Sequence, residues 1–215
     1  MREVWAQKDQ DCGYERLGQS AGISSSNLKT QTNNSTMSYC PTPLHEIVAI
    51  NSGDAHWEHL RQQCFDVRID VFHHEQKFPL EAELDDQEDT ATHFLLRLLP
   101  SLTPVGTIRL IRRKSYYKLT RLAVLKDYRK FKFGRDLVLA LHDYVKKEAF
   151  EAAHRPDTTS SAIIPEYVKV HSHSQLYVKG FYAKFGYEPE GEEFDEDGEP
   201  HQLMVAKLKI QHSCP

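Results

Sequence analysis

Apolar residues recur between residues 44 and 210 with two periods, one typical of strands and the other typical of helices. Short apolar or alternating runs predict six strands, at HEIVAI, ATHFLLRLLP, PVGTIRLIRR, KLTRLAVL, EYVKVHS and HQLMVAKLKI. Apolar residues three and four positions apart predict three helices between these strands. The first helix carries Trp57, Leu60, Cys64, Val67 and Val71 on one face, the second Phe133, Leu137, Leu141 and Tyr144, and the third Val178, Phe181 and Phe185. The order β-α-β-β-β-α-β-α-β predicts an α/β (α+β) fold, a mixed sheet with helices on its faces.

Turn and capping residues set the ends of these elements. Asp54 in the turn NSGD and Ser174 after the fifth strand are predicted to cap the first and third helices, because their side-chain oxygens can accept hydrogen bonds from helical amides. Gly186 is predicted to end the third helix. Residues 155–165 are predicted to form a loop.

The composition changes along the chain and divides it into one domain and two tails. Residues 1–43 are poor in aliphatic side chains and contain QSAGISSSNLKTQTNNSTMS, a polar run that cannot offset the entropy lost on ordering. We therefore predict a mobile N-terminal tail at residues 1–43, a single domain at 44–210 and a C-terminal tail at 211–215. One domain is expected, since two would each have a small core.

Charge and composition exclude several classes of function. The net charge of −4 argues against a nucleic-acid partner, which normally requires a dense basic face. No apolar run approaches the roughly 20 residues that span a bilayer, so no membrane partner is expected. The cysteines have no CxxC spacing, which indicates neither a zinc ribbon nor a disulfide framework. Without an apolar leader, the expected location is the cytoplasm, with the nucleus as the alternative.

Basic residues cluster where the strand KLTRLAVL leads into the second helix. The stretch YRKFKFGRDLV brings Arg129, Lys130, Lys132 and Arg135 to the start of a helix that begins near Gly134. A strand, a loop and a helix N-terminus direct several backbone amides to one point, which favours a small anion. The alternative is a solvated basic turn, since charge clusters at helix ends are common.

Five segments, in order along the chain, resemble the GNAT superfamily of acetyl-CoA-dependent N-acyltransferases. VGTIRL, TRLAVLKDYRKFKFG and GFYAKFGYEPEGEEF resemble successive core segments of that superfamily. RIDVFHHEQKFPLEAELDDQEDTATHF and GEEFDEDGEPHQLM are similar to its ElaA/YjcF-like branch. The resemblance covers residues 45–208 and implies a GNAT-like central mixed, mostly antiparallel sheet with helices on both faces. It also implies a bulge in RLAVL and a splay between this strand and the central strand at Tyr167–His171.

The resemblance assigns the basic loop to the pyrophosphate of acetyl-CoA. In the superfamily a loop of pattern R-x-x-G-x-G/A holds this group on backbone amides, and here Lys132 stands at the first glycine position. A lysine must keep φ negative there or accept strain, and we expect its side chain to turn outward or onto phosphate. The amides of Leu122 to Val124 would face the thioester carbonyl. The implied coenzyme-binding residues are Leu122, Ala123, Val124, Arg129, Lys130, Phe131, Lys132, Phe133, Gly134, Arg135, Ser174, Phe181, Tyr182 and Lys184.

Acetyl transfer from a thioester to an amine requires a proton donor for the thiolate and a base for the amine. The resemblance places Tyr182 at the usual proton-donor position, although a helix tyrosine can instead pack in the core. Glu75, His93 and His201 are the candidate bases, directly or through water, because each falls in a motif of the branch. Each can alternatively be a structural group. We favour Glu75 and His201 as residues of the acceptor pocket, and their roles could be exchanged.

No metal is expected. The neighbouring His73, His74 and Glu75 could suggest a metal site, as could His171 and His173 on one face of a strand. No HExxH or Cys/His pattern supports either site. The implied acetyl transfer also needs no metal.

Two acidic stretches, Glu81–Asp89 and Glu188–Glu199, are either solvated loops or borders of an acceptor pocket. At a pocket they would attract a cationic amine and disfavour a sugar phosphate. The predicted function is direct transfer of acetyl from acetyl-CoA to the primary amine of a small, cationic acceptor in a ternary complex. The alternatives are an amino sugar or a protein amine as acceptor, and an acyl-CoA-binding interaction protein that has lost turnover. Edge strands of the sheet could also pair in a homodimer.

Overall fold

The computed structural model describes residues 41–154, 165–196 and 198–210. Nearly all of the predicted N-terminal tail at 1–43 and of the predicted loop at 155–165 lies outside these residues, as does the whole of the predicted tail at 211–215. Within them, strands and helices follow the order β-α-β-β-β-α-β-α-β-β.

The described strands and helices have the following bounds. The strands are β1 (His45–Ile50), β2 (Thr92–Leu98), β3 (Pro104–Arg112), β4 (Tyr117–Val124), β5 (Tyr167–Gln175), β6 (Tyr187–Glu196) and β7 (Glu199–Lys209). The α-helices are α1 (Trp57–Arg68), α2 (Phe133–Ala153) and α3 (Lys179–Ala183). A π-helix at Ile69–Glu75 continues α1, and short 3-10 helices lie at Leu80–Glu83, Lys126–Phe131 and Leu176–Val178.

The strands form one sheet in the order β1-β2-β3-β4-β5-β7-β6. Every neighbouring pair is antiparallel except β4 and β5, which run parallel. Leu95 of β2 clusters with Cys64 of α1, whereas the adjacent Phe94 and Leu96 cluster with Leu137 of α2. Because successive side chains of a strand alternate between its faces, α1 and α2 cover opposite faces. The mixed, mostly antiparallel sheet with helices on both faces confirms the predicted fold class.

The main core lies between the sheet and α2. Phe133, Leu137 and Leu141, which predicted this helix by their spacing, are all fully buried. They pack against apolar side chains of β3, β4 and β7 in one continuous cluster. Among the described helices, none is long and apolar enough to cross a membrane.

Some local predictions were wrong. The stretch that begins at Glu188, predicted as a loop or pocket border, forms most of β6, an edge strand paired with β7. Nearly all its side chains are exposed, so no apolar alternation marked it as a strand. Ser174 lies inside β5 and donates a hydrogen bond to the Gln175 carbonyl at 3.0 Å instead of capping a helix. Asp54 accepts a hydrogen bond from the Asn51 amide at 2.7 Å, and α1 begins after His56 without a side-chain cap.

Candidate active site

The central strands β4 and β5 are joined at one end only. Their register pairs Tyr117 with Val170 and Lys118 with His171. Within the described residues no further pair links the two strands, so β4 and β5 diverge toward their C-terminal ends. This confirms the predicted splay. Diverging strands leave main-chain amides and carbonyls without a strand partner, and such groups must bond to water or to a ligand.

A β-bulge shapes the open half of β4. The register of β3 against β4 places Arg121 and Leu122 opposite a single residue, Ile108. Arg121 has a φ of 55°, in the left-handed region that favours glycine. The bulge implied for RLAVL is thereby confirmed, and it removes two residues from the regular ladder.

The basic loop leaves β4 through the 3-10 helix at Lys126–Phe131 and then enters α2. Between them, Lys132 has a φ of 61° and a ψ of 22°. Of the two alternatives for a lysine at this position, the strained one is therefore adopted, at a cost of about 1 to 2 kcal/mol. The lysine is exposed, as expected for a side chain turned outward.

The start of α2 leaves main-chain donors unused. The Lys132 amide donates to the Arg129 carbonyl at 3.2 Å, and the Arg135 amide donates to the Lys132 carbonyl at 2.9 Å. Within the described part of the chain, the amides of Phe133 and Gly134 have no backbone acceptor. Both residues are buried. A helix N-terminus flanked by basic side chains attracts an anion.

Arg129 and Glu75, predicted to serve different parts of the site, contact each other. The Arg129 guanidinium donates to both carboxylate oxygens of Glu75, at 2.7 Å and 2.5 Å, and its Nε donates to the Val124 carbonyl at 3.0 Å. Glu75 ends the π-helix that packs on β4 through Val71 and Phe72. The pair therefore joins this helix to the end of β4.

His93 lies away from the splay, in a buried ionic network on the α1 face of the sheet. Its Nε2 is 3.0 Å from the Glu88 carbonyl, and its side chain is 2% exposed. Burial lowers the pKa of His93 to about 4. The network consists of Arg68, Arg109 and Arg121 with Glu83, Asp85 and Glu88. His93 is thus a structural neighbour of this network.

The acidic stretch Glu81–Asp89 is not a solvated loop throughout. Glu83 is 1% exposed and Glu88 is 5% exposed. Guanidinium groups from α1, β3 and β4 converge on these carboxylates, because a buried carboxylate requires a compensating charge. Glu83 and Glu88 are therefore not part of a solvated loop, and arginine neutralises their charge.

His201 places a ring nitrogen in the interior near the end of β5. The residue is fully buried on β7, and its register partners are Gln175 of β5 and Phe194 of β6. The Nδ1 donates to the Glu199 carbonyl at 2.9 Å, which leaves the lone pair of the neutral ring on Nε2. This Nε2 is buried and has no hydrogen-bond partner among the described residues. A lone pair in that state can accept a proton from a substrate.

Tyr182 lies on α3, which follows the splayed strand β5, and is fully buried. Its ring meets the ring of Tyr187 edge to face, with centroids 5.4 Å apart. The Tyr187 hydroxyl is in turn 2.9 Å from Nε2 of His142. Of the other residues predicted near α3, Phe181 is half-buried and Lys184 is exposed. Tyr182 is therefore a core residue, and the helix that carries it lies beside the open end of the splay.

Sequence reasoning placed His171 and His173 on one face of β5 but missed Lys118 and Glu196, the polar partners of His173 at the closed end of the splay. His173 Nδ1 donates to the Glu196 carboxylate at 2.8 Å, and Lys118 Nζ lies 3.3 Å from His173 Nε2. His171 stacks on Tyr116 with ring centroids 4.0 Å apart. The alternation in HSHSQ was the available signal, since it places both histidines on one face of β5. The described residues contain no group of three or more His, Cys, Asp or Glu side chains that could hold a metal ion.

Comparisons with known proteins agree on one family. The model of a domain described as Acetyltransferase (GNAT) domain matches residues 60–208. A Bacillus subtilis protein named as an acetyltransferase is 36% identical over 144 residues, which are 66% of this chain and 86% of that protein. The N-acetyltransferase YjcF of Bacillus subtilis is 31% identical over 145 residues, which are 67% of this chain and 90% of YjcF. The crystal structure of Escherichia coli ElaA has a TM-score of 0.57 at 22% identity, covering 76% of this chain and 99% of ElaA.

Proposed function

The chain belongs to the GNAT acetyltransferase family, and from this premise we propose that it transfers acetyl from acetyl-CoA directly to a primary amine in a ternary complex. The observation that carries the proposal is the bulged, splayed strand β4, which leads through one short 3-10 helix into the N-terminus of α2. This arrangement offers unpaired main-chain groups for an extended arm and helix amides for a terminal anion.

The diphosphate of acetyl-CoA is proposed to bind at the start of α2. The amides of Phe133 and Gly134 would donate to it, and the exposed Lys132 and Arg135 would add positive charge. Arg129 supports the site indirectly, because its guanidinium is engaged by Glu75 and the Val124 carbonyl. The pantetheine arm would then run between β4 and β5.

The reaction joins the amine nitrogen to the thioester carbonyl carbon and breaks the carbon–sulfur bond. The oxyanion that forms would be stabilised by the main-chain amide of Leu122, which faces the splay, whereas the Ala123 amide faces Thr107 of β3. We assign the proton of the departing thiolate to the Tyr182 hydroxyl and the proton released by the amine to His201 Nε2. Among the candidate bases, His201 is favoured because its tautomer leaves a lone pair free, whereas Glu75 is ion-paired and His93 belongs to the buried network. His201 accepts one proton and Tyr182 donates one, and because the amine attacks the thioester directly, no acyl-enzyme forms.

The acceptor is proposed to be a small primary amine. Arginine neutralises Glu83 and Glu88, so the stretch Glu81–Asp89 carries less of the negative charge that argued for a cationic acceptor. The exposed carboxylates of β6 keep theirs. An amino sugar and a protein amine remain the alternatives to a polyamine-like acceptor.

Measurement of thiol release from acetyl-CoA, with spermidine, L-lysine, glucosamine and a lysine-containing peptide as acceptors, tests this proposal. We expect release that depends on at least one of these amines. Calorimetric titration with acetyl-CoA is the companion measurement, and no binding up to millimolar coenzyme would contradict the coenzyme site. Coenzyme binding without amine-dependent release would favour the second candidate, an acyl-CoA-binding interaction protein. The left-handed Lys132 at a glycine position is the observation that supports that candidate.

A further inference from the structure

The bulge in β4 is tethered to a distant segment by the side chain of its own first residue. Arg121 Nη2 donates to the Ala82 carbonyl at 2.7 Å, and the guanidinium also lies 3.3 Å from Glu83 and 3.7 Å from Asp85. Only 4% of Arg121 is exposed. Arg121 therefore links the 3-10 helix at Leu80–Glu83 directly to the β4 bulge.

The backbone at Arg121 is strained, and the strain lies next to the proposed reaction centre. In bulges whose first residue is left-handed, that residue is usually glycine, because a Cβ costs about 1 to 2 kcal/mol there. Such strain persists only where the surrounding structure holds the residue in place. The contacts to Ala82, Glu83 and Asp85 are the groups that can hold it.

The carboxylates around Arg121 do not need it for neutralisation. Glu83 also accepts from Arg68 Nε at 3.2 Å. Asp85 accepts two hydrogen bonds from Arg109, at 2.9 Å and 2.7 Å. Each carboxylate would therefore stay paired if Arg121 were replaced. The contacts of Arg121 thus serve the conformation of β4 more than the charge balance of the network.

We propose that Arg121 is a positioning residue that holds the β4 bulge so that the amide of Leu122, which faces the splay, meets the thioester oxygen. The catalytic role of Arg121 rests on the proposed function, acetyl transfer from acetyl-CoA. A misplacement of about 1 Å at such donors can cost about 100-fold in rate without loss of coenzyme binding.

Replacement of Arg121 by methionine tests the proposal, because methionine retains the Cβ and the buried volume but not the tether. We expect kcat for thiol release to fall about 100-fold, while KM for acetyl-CoA stays within about threefold. Arg121→Lys should recover part of kcat, since it restores the charge but not the planar fork. Arg112→Met is the matched control, because Arg112 ends β3 and forms a partly exposed pair with Glu148 of α2, so that its loss should leave kcat unchanged.

Hydrogen exchange gives a readout that does not depend on turnover. Amides of residues 121–124 should exchange faster in Arg121→Met, and to a smaller extent in Arg121→Gly, which removes the strain together with the tether. Unchanged exchange there, or an unchanged kcat, overturns the proposal. A parallel fall of kcat and thermal stability, with exchange accelerated over the whole sheet, also overturns it, because the role is then only structural. If the unmodified protein neither binds nor turns over acetyl-CoA, the proposed function fails, while the exchange data still decide whether Arg121 holds the bulge.

Discussion

Replacement of Glu75 by glutamine shows whether Glu75 is the general base or serves only to hold Arg129 in an ion pair. In the structure Glu75 receives two hydrogen bonds from Arg129, whose side chain is 13% exposed against 34% for Glu75. Glutamine retains the shape but loses the charge and one acceptor. After discounting for solvent, we expect the free energy of unfolding to fall by about 1 kcal/mol. For a domain of this size the midpoint of thermal unfolding should fall by about 2 to 4 °C.

The same change should strengthen coenzyme binding. Arg129 would no longer be neutralised by a carboxylate, and a free guanidinium beside the start of α2 attracts the diphosphate. A gain of about 1 kcal/mol corresponds to about a fivefold lower Kd for acetyl-CoA, measured by calorimetry. The value of kcat should change by less than about tenfold, because a lost general base costs about 100-fold or more.

A matched variant separates the local effect from a general one. Glu148→Gln breaks another two-oxygen pair, with Arg112, near the closed end of the splay and away from the bulge. It should lower thermal stability similarly and leave the Kd for acetyl-CoA unchanged. If Glu75→Gln abolishes turnover with an unaltered Kd, Glu75 is the base, and a purely structural role in the ion pair with Arg129 is refuted.

Further predictions concern the proposed proton donor, the basic loop before α2 and the buried His93. Tyr182→Phe should lower kcat about 100-fold with the Kd for acetyl-CoA unchanged, and a wild-type rate in thiol release would remove its assigned role. Lys132→Gly should raise the unfolding free energy by up to about 1 kcal/mol, since glycine adopts the positive φ without strain, and denaturant titration would reveal a loss if the strain argument fails. Burial holds the pKa of His93 at about 4, below its unfolded value of 6.5, so the unfolded chain binds more protons between these pH values. Stability should therefore be complete above about pH 6.5 and fall toward pH 4, and His93→Gln should flatten this dependence in denaturant titrations.

The elements with a clear apolar period were predictable. α2 was recognised from Phe133, Leu137 and Leu141 because their spacing places them on one face, and all three are buried. β6 was missed because an edge strand with exposed side chains has no apolar alternation, and its identity depends on pairing with β7. The splay and the bulge were expected only through the resemblance, since no local pattern distinguishes a diverging strand from a paired one.

The partners of charged groups were the least predictable feature of the site. Glu75 contacts Arg129 across 54 positions, and Arg121 contacts Ala82 across 39. No periodicity reports on contacts at such separations. Glu83 accordingly belonged to an acidic run in sequence and to a neutral, buried network in the structure.

By itself, the sequence determined which side chains face the core, where β4 passes into α2, and that basic residues gather at that junction. These features depend on residues that are neighbours along the chain, so local spacing and turn chemistry are sufficient to reveal them. Only the tertiary structure decided that β4 separates from β5, that Arg129 is held by Glu75, and that Arg121 anchors the bulge. A charged side chain is equally compatible with water until folding brings a distant partner within hydrogen-bond reach, and that meeting is a property of the whole fold.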